Sequence, residues 1–213
     1  MEYISDDLPS FHKLVRVKRI QEAELESDKK TARVVQIDFA MAYQCEYQDE
    51  VQSALWSRQS VTLVTVAVFH RGQTKSLVVC SDTKNKAFVL EFYDKFLRCE
   101  DDRDVDEIIY SEGPSSEFKN KYMVKVVHML SVKYNKNFQW KYFATSHGKG
   151  VVDGTGRRVK SLVRQAVMSK RTTSVIVQNS ADFVKVAAEK MTSTTVIQID
   201  QSQIDAINAT VNA

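Results

Sequence analysis

Cysteine is scarce in this sequence, and its three copies are far apart. Cys45, Cys80 and Cys99 are odd in number and include no C-x-x-C pair. Disulfide frameworks use even numbers of cysteines, and structural zinc sites use closely spaced pairs. The pattern therefore argues against both kinds of cross-link and favours a reducing compartment.

Long apolar runs are also missing. No stretch approaches the roughly 20 apolar residues that a membrane-spanning helix needs. The first ten residues, MEYISDDLPS, are acidic and polar, unlike a secretory signal peptide. We therefore expect no membrane association and a nuclear or cytoplasmic location.

Glycine and proline are few, with 6 and 2 copies in 213 residues, so long irregular loops are not expected. Charge of one sign is not in large excess either. The 30 basic and 27 acidic residues leave a net charge of +3, so only local basic clusters can indicate nucleic-acid binding.

What the chain does have is enough apolar material for a core, at 43% of its residues. Its length fits one large domain with small appendages. We predict an N-terminal helical appendage over residues 1–30, an α/β domain over residues 31–171 and a C-terminal strand-and-helix extension over residues 172–213.

The order of β-branched runs and helical apolar stripes predicts the fold class. The predicted core strands are Val34–Ala40, Ser60–Phe69, Lys75–Ser81, Glu107–Tyr110 and Phe138–Thr145. Helices are predicted over Ser10–Ser27, Lys86–Leu97, from Pro114 onward, and Arg157–Ser169. The extension holds predicted strands at Ser174–Val177 and Thr194–Ile199 and helices at Ser180–Met191 and Gln201–Val211. This order predicts an α/β protein with a mixed five-stranded sheet flanked by helices, an order similar to that of the ribonuclease H-like fold.

Three carboxylates fall at or just after predicted strands. Asp38 closes the first apolar run, Glu112 follows the fourth strand, and Asp153 follows the fifth strand near the start of a helix. Ligands of open α/β sheets bind at the carboxyl ends of the strands. Converging carboxylates ionise together only when a cation is near, and oxygen ligands select Mg²⁺ or Mn²⁺. The alternative is that these acidic residues simply mark strand ends.

The glycine-rich stretch SHGKGVVDGTG, Ser146–Gly156, is the most specific local signal. Glycine lets a backbone approach a ligand closely. Lys149 is a candidate phosphate ligand, and His147 is a candidate proton shuttle or phosphate ligand. A tight connection between a strand and a helix is the plainer interpretation.

Basic residues cluster beside the candidate metal ligands. The candidates for contacts with the DNA phosphate backbone are Lys119, Lys121, Arg157, Arg158, Lys160 and Arg164. Such contacts give affinity without reading sequence. A solvated basic helix face is the alternative.

Four motifs together carry a family resemblance: DFA at Asp38–Ala40, QDEVQSALW at Gln48–Trp56, SEGPSSEFKNK at Ser111–Lys121 and FATSHGKGVVDGTG at Phe143–Gly156. They resemble uncharacterised proteins of invertebrate genomes that look derived from cut-and-paste DNA transposons, with a DDE-type, ribonuclease H-like catalytic domain. The resemblance spans about Arg33–Arg171. It implies DNA cleavage or strand transfer that depends on Mg²⁺ or Mn²⁺, with Asp38, Glu112 and Asp153 as metal ligands and His147 in a catalytic role.

The sequence departs from that family at several positions. Met41 and Ala42 stand where Glu-Asn is usual, Leu55 replaces His, and Glu112 and Glu117 replace Asp and Gln. A displacement of about 1 Å in a catalytic group can reduce activity about 100-fold. Two hypotheses follow: an active nuclease or transposase, and a decayed or domesticated nucleic-acid-binding module on the same fold. A role of Ser174–Ala213 in protein interaction or assembly, such as formation of a homo-oligomer, is a third hypothesis.

Overall fold

The computed structural model describes residues 8–45, 59–84, 91–93, 106–112, 118–143, 150–169 and 175–212. The strands are β1 (Arg33–Gln44), β2 (Ser60–His70), β3 (Gln73–Ser81), β4 (Glu107–Glu112), β5 (Phe138–Phe143) and β6 (Thr194–Gln198). The helices are α1 (Leu8–Thr31), α2 (Lys121–Tyr134), α3 (Val151–Val167), α4 (Ser180–Lys190) and α5 (Gln201–Asn212). Residues 91–93 are also helical. In the described part of the chain, no helix is both long and apolar enough to cross a membrane.

The six strands form one mixed sheet, in the order β5-β4-β1-β2-β3-β6. β1, β2 and β3 form an antiparallel meander, and β4 and β5 continue the sheet from β1 as parallel strands. The α/β prediction is confirmed, but the sheet has six strands instead of five. The reason is that β6 pairs in parallel with β3 along Ser76–Cys80, so the C-terminal residues extend the main sheet.

The hairpin between β2 and β3 has the tight turn that its sequence suggests. His70 pairs with Gln73, which leaves a two-residue loop. Arg71 and Gly72 both have positive φ, 48° and 75°. A two-residue turn of this kind matches the right-handed twist of the strands, and glycine adopts it without steric cost. The turn fixes the register of β2 and β3.

Helices cover both faces of the sheet. The first face carries Val35, Ile37 and Ile109, and it packs against α2, α5 and residues 92–93. The second face carries Val34 and Leu63, and it packs against α1, α3 and α4. Because successive strand residues point to opposite faces, this assignment gives the face of each residue of β1 from Val34 to Ala40, where the register shifts.

Helix α3 begins earlier than predicted. We expected a break over Ser146–Gly156 and a helix from Arg157, but α3 starts at Val151 and passes through two glycines. A Cβ on Gly156 would lie 3.1 Å from both Ala40 Cβ and Thr65 Cγ2. Glycine is therefore used here for close packing of the helix on the sheet, which outweighs its low helix propensity.

Other predicted elements fall only partly within the described residues. Helix α2 begins at Lys121, where the Asn120 side chain caps it by accepting a hydrogen bond of 3.2 Å from the Met123 amide, whereas the predicted start at Pro114 lies outside the described residues. The described residues 175–177 of the predicted strand Ser174–Val177 have no regular structure. Val177 is buried because it packs among apolar residues of α3 and α4. Most of the predicted helix Lys86–Leu97 lies outside the described residues.

Candidate functional site

Asp38 lies inside β1, which continues to Gln44, so it does not end the strand as predicted. It is level with Thr65 of β2, whose hydroxyl donates a 3.3 Å hydrogen bond to the Asp38 carbonyl oxygen. By strand alternation Asp38 shares the second face with Val34. Its side chain is half-buried under the layer that contains α3.

Glu112 is the last residue of the neighbouring strand β4. The parallel pairing of β1 and β4 runs from Arg33 with Glu107 to Ile37 with Ser111. Asp38 and Glu112 are the next residues on their strands, so they are level with each other. Alternation from Tyr110 places Glu112 on the second face as well. The fold therefore brings two half-buried carboxylates to the same level and the same face.

Asp153 lies in the first turn of α3, above the same part of β1. A Cβ on Gly150 would lie 3.5 Å from the Gln36 side-chain amide, and Gly156 packs against Ala40. The turn that carries Asp153 therefore crosses β1 between these two contacts, where Asp38 is. Lys160 follows Asp153 by two helical turns on the same side of the helix, and its Nζ donates a 2.9 Å hydrogen bond to the Met41 carbonyl oxygen. Asp153 is thus on the side of α3 that faces β1.

The three carboxylates lie in one region of the fold, but their side chains are not arranged as a set of metal ligands. Within the described residues, no group of three or more His, Cys, Asp or Glu side chains is arranged to hold a metal ion. The donor chemistry of Asp38, Glu112 and Asp153 nevertheless fits a hard divalent cation, because carboxylate oxygens are the preferred ligands of Mg²⁺ and Mn²⁺. The metal site stays a prediction.

His147 and Lys149 fall in residues 144–149, outside the described residues. Their assignment as catalytic and phosphate-binding residues stays a prediction. What the structure gives for this motif is its last part, Gly150–Gly156, which forms the start of α3.

The predicted nucleic-acid-binding residues separate into groups on both faces of the sheet. Arg157, Lys160 and Arg164 lie at helical spacing on the Asp153 side of α3. Burial, together with the positive charge of Arg157, lowers the pKa of the Lys160 ammonium group. By contrast, Lys119 and Lys121 are exposed at the start of α2, which covers the first face.

Arg158 lies apart from the other basic residues of α3. It lines a cavity of about 370 Å³ on the side of α3 that faces β3 and β6. The floor of this cavity includes Ser76 and Thr194, which pair across those strands. Arg158 is therefore not positioned with Arg157 beside the carboxylates.

Sequence reasoning missed a row of aromatic side chains near the same edge of the sheet, on the first face. Phe39 follows Asp38 directly in β1, and Trp140 and Tyr142 lie in β5. The signal was present in the β5 sequence FQWKYF, where aromatic residues alternate and therefore share one face.

Comparison with known proteins identifies a family whose function is unknown. The sequence profile described as "Domain of unknown function (DUF8701)" matches residues 18–213. Among proteins with curated descriptions, none matches the chain.

Proposed function

We propose that this chain, which belongs to the DUF8701 family of domains of unknown function, acts on DNA by divalent-metal-dependent phosphodiester hydrolysis or strand transfer. We further propose that it derives from a DDE-type transposase with a ribonuclease H-like fold. A DNA substrate would place the protein in the nucleus.

The strand order supports the proposed fold. An antiparallel meander β1-β2-β3, extended from β1 by the parallel strands β4 and β5, is the arrangement expected of a ribonuclease H-like core. In such a sheet the carboxyl ends of β1 and β4 are adjacent. The sixth strand is an addition at the far edge, next to β3.

The observation that carries the proposed function is the alignment of Asp38 with Glu112. They come directly after the last pair of the parallel ladder, Ile37 with Ser111, and both lie on the face covered by α3. Asp153 is in the first turn of that helix. Two carboxylates at one level, with a third on the helix above them, form a group of oxygen donors of the kind that binds Mg²⁺ or Mn²⁺, which supports a metal ion at this position.

Asp38, Glu112 and Asp153 would hold the ion, which would act as a Lewis acid that activates water and stabilises the leaving oxygen. The basic side chains of α3 have a different role from the metal ion. Arg157 and Arg164 are exposed on the same side of α3 as Asp153, where they would bind backbone phosphates beside the cleavage point. In this proposal Lys149 binds phosphate and His147 moves a proton.

The test is DNA nicking with Mn²⁺ or Mg²⁺, compared with EDTA. We expect metal-dependent nicking that Asp38→Asn reduces by about 1,000-fold or more, because a ligand carboxylate is lost. Asp205→Asn is the matched control, since Asp205 is an exposed carboxylate on α5 whose partner is Gln201. Absence of nicking by the unmodified chain with either metal would overturn the enzymatic proposal.

A nucleic-acid-binding module without catalysis is the second candidate. It is favoured by Met41, three residues after Asp38 in β1 and 83% exposed, which stands where the resembling proteins have glutamate. This candidate predicts salt-sensitive DNA binding that is indifferent to EDTA and weakened by charge reversal at Arg157, Arg158 and Arg164. Binding that is unchanged by those reversals would exclude it.

A further inference from the structure

Four aromatic rings form a continuous row across the first face of the sheet, which we call the aromatic row: Phe39, Phe118, Trp140 and Tyr142. The ring centroids of Phe39 and Phe118 are 5.0 Å apart, those of Phe118 and Trp140 are 5.8 Å apart, and those of Trp140 and Tyr142 are 6.5 Å apart. Trp140 and Tyr142 are nearly parallel, with 25° between their planes.

The polar ends of this row are fixed by hydrogen bonds. Trp140 Nε1 donates to Ser111 Oγ at 2.9 Å, and the Tyr142 hydroxyl donates to the Phe118 carbonyl oxygen at 3.1 Å. Phe118 is the buried member of the row, whereas Phe39, Trp140 and Tyr142 keep part of their surface in solvent. The rings are therefore held in place before any ligand arrives, which lowers the entropic cost of binding.

A lysine lies at each end of the row. Lys84 Nζ is 4.9 Å from the Phe39 ring centroid, and Lys119 Nζ is 5.8 Å from the Tyr142 ring centroid. Both lysines are exposed. The rings pack against the core of the first face, and partly exposed rings with a cation at each end suit a ligand with flat bases and negative phosphates.

The position of the row links it to the carboxylates. Phe39 follows Asp38 in β1, and Trp140 is hydrogen-bonded to Ser111, the residue before Glu112. The row and the carboxylates are therefore on opposite faces at the same end of the parallel strands. A DNA strand that passes around the carboxyl ends of these strands would contact both the row and the carboxylates.

We propose that the aromatic row binds an unpaired stretch of DNA by stacking its bases, with Lys84 and Lys119 on the backbone phosphates. Bases in an intact duplex are stacked on one another and leave no free face for a protein ring, so the ligand is single-stranded. This proposal rests on the DNA function proposed above and specifies its substrate as a duplex with an opened or frayed segment.

The test uses an oligothymidylate of about ten nucleotides, a length typical of single-strand sites, in EDTA. In a Trp56→Phe background Trp140 is the single tryptophan, and we expect the oligonucleotide to quench its fluorescence. Tyr142→Leu, which removes the ring but keeps apolar volume, should weaken binding about tenfold, and Tyr142→Phe should retain it. Circular dichroism of each variant checks that the fold is kept.

The lysines are tested through the salt dependence of binding. Replacing one phosphate contact should reduce the slope of log affinity against log salt by about 0.7 for a single strand. We expect this change for Lys84→Gln and Lys119→Gln. Lys75→Gln is the matched control, because Lys75 is exposed near the opposite end of β3 and should leave the slope unchanged.

The outcomes separate this proposal from the catalytic one. Oligothymidylate binding that survives Asp38→Asn and falls with Tyr142→Leu supports the aromatic row, whether or not the protein nicks DNA. Failure of the unmodified chain to bind oligothymidylate overturns the aromatic row even if nicking is observed. Equal binding by Tyr142→Leu and Tyr142→Phe overturns it too.

Discussion

The two ends of the parallel pairing between β1 and β4 are built in opposite ways. At the amino end, Arg33 pairs with Glu107, and both side chains are fully buried. Lys136 adds a second cation, 3.5 Å from Glu107 Oε1. At the carboxyl end, Asp38 and Glu112 are level and half-buried, so two like charges are brought together.

The charges at the amino end bear on the stability of the fold, whereas those at the carboxyl end bear on its proposed function. A buried carboxylate must be paired, and the protein supplies the partners of Glu107 from its own chain. Carboxylates aligned on neighbouring strands present oxygen donors of the kind that a divalent cation prefers, and we propose a metal ion at this end. The same two strands thus carry a self-compensated charge pair at one end and a proposed metal site at the other.

Removing Arg33 should have the largest effect on stability. In Arg33→Met, Glu107 stays buried and keeps its contact with Lys136 but loses Arg33, and breaking a buried ion pair typically costs about 3–5 kcal/mol. Urea unfolding measures the loss. The control is the triple variant Arg33→Met, Glu107→Leu, Lys136→Met, which removes all three charges and should recover most of it. A loss under 1 kcal/mol in Arg33→Met would mean that the amino end depends little on this pair.

The stability of Arg33→Met should also depend on pH, which tests whether Arg33 acts on the charge of Glu107. Burial raises the pKa of the Glu107 carboxyl above its usual value of 4.5, and Arg33 and then Lys136 offset part of that increase. A group whose pKa is higher in the folded state holds its proton more tightly there, so the free energy of unfolding falls as pH rises between the unfolded and folded pKa values. Arg33→Met widens that interval.

We therefore expect the destabilisation of Arg33→Met to grow as pH increases from about 4.5. Urea unfolding at several pH values, with the triple variant as reference, gives the difference directly. A destabilisation that stays constant with pH would show that Arg33 does not act on the charge of Glu107.

Substitution of Gly156 tests how closely α3 packs on β1 near the carboxyl end of its pairing with β4. A Cβ there would lie 3.1 Å from Ala40 Cβ and Thr65 Cγ2, so Gly156→Ala should destabilise by about 1–3 kcal/mol less any gain in helix propensity. At Gly154 no heavy atom lies within 4 Å of the added Cβ, so Gly154→Ala should stabilise by about 0.5–1 kcal/mol. Thermal unfolding compares the two. Equal effects would contradict the close packing of α3 on β1.

Asp38→Asn should have the smallest effect on stability. It removes one of two aligned carboxylates, so we expect a change of no more than about 1 kcal/mol in metal-free buffer, alongside its large effect on nicking. A loss as large as that of Arg33→Met would contradict the comparison, because Asp38 would then be a structural charge.

The sequence predicted the strands well because their β-branched runs are long and buried. The region around β2, SVTLVTVAVF, leaves little alternative to a strand, and the short connection to β3 at Arg71 and Gly72 fits a tight hairpin. The order of elements was then enough to predict a mixed sheet, although β4 continues two residues beyond the predicted strand Glu107–Tyr110, to Glu112.

Features that depend on contacts between distant residues were not predictable. The helical start of α3 depends on Gly156 packing against Ala40, which residue propensity does not encode. The pairing of β6 with β3 joins residues more than 100 positions apart. Arg33 and Glu107 are 74 positions apart in the sequence, and the register of β1 with β4 brings them together in the core.

The most direct test of the central claim is the binding of Mn²⁺, measured by calorimetry and by anomalous diffraction from crystals soaked in Mn²⁺. We predict Mn²⁺ density between the Asp38 and Glu112 side chains, with Asp153 as a further ligand, and loss of the calorimetric signal in Asp38→Asn but not in Asp205→Asn. No Mn²⁺ at this position in the soaked crystals, or equal binding by both variants, would contradict the claim that these carboxylates form a metal site.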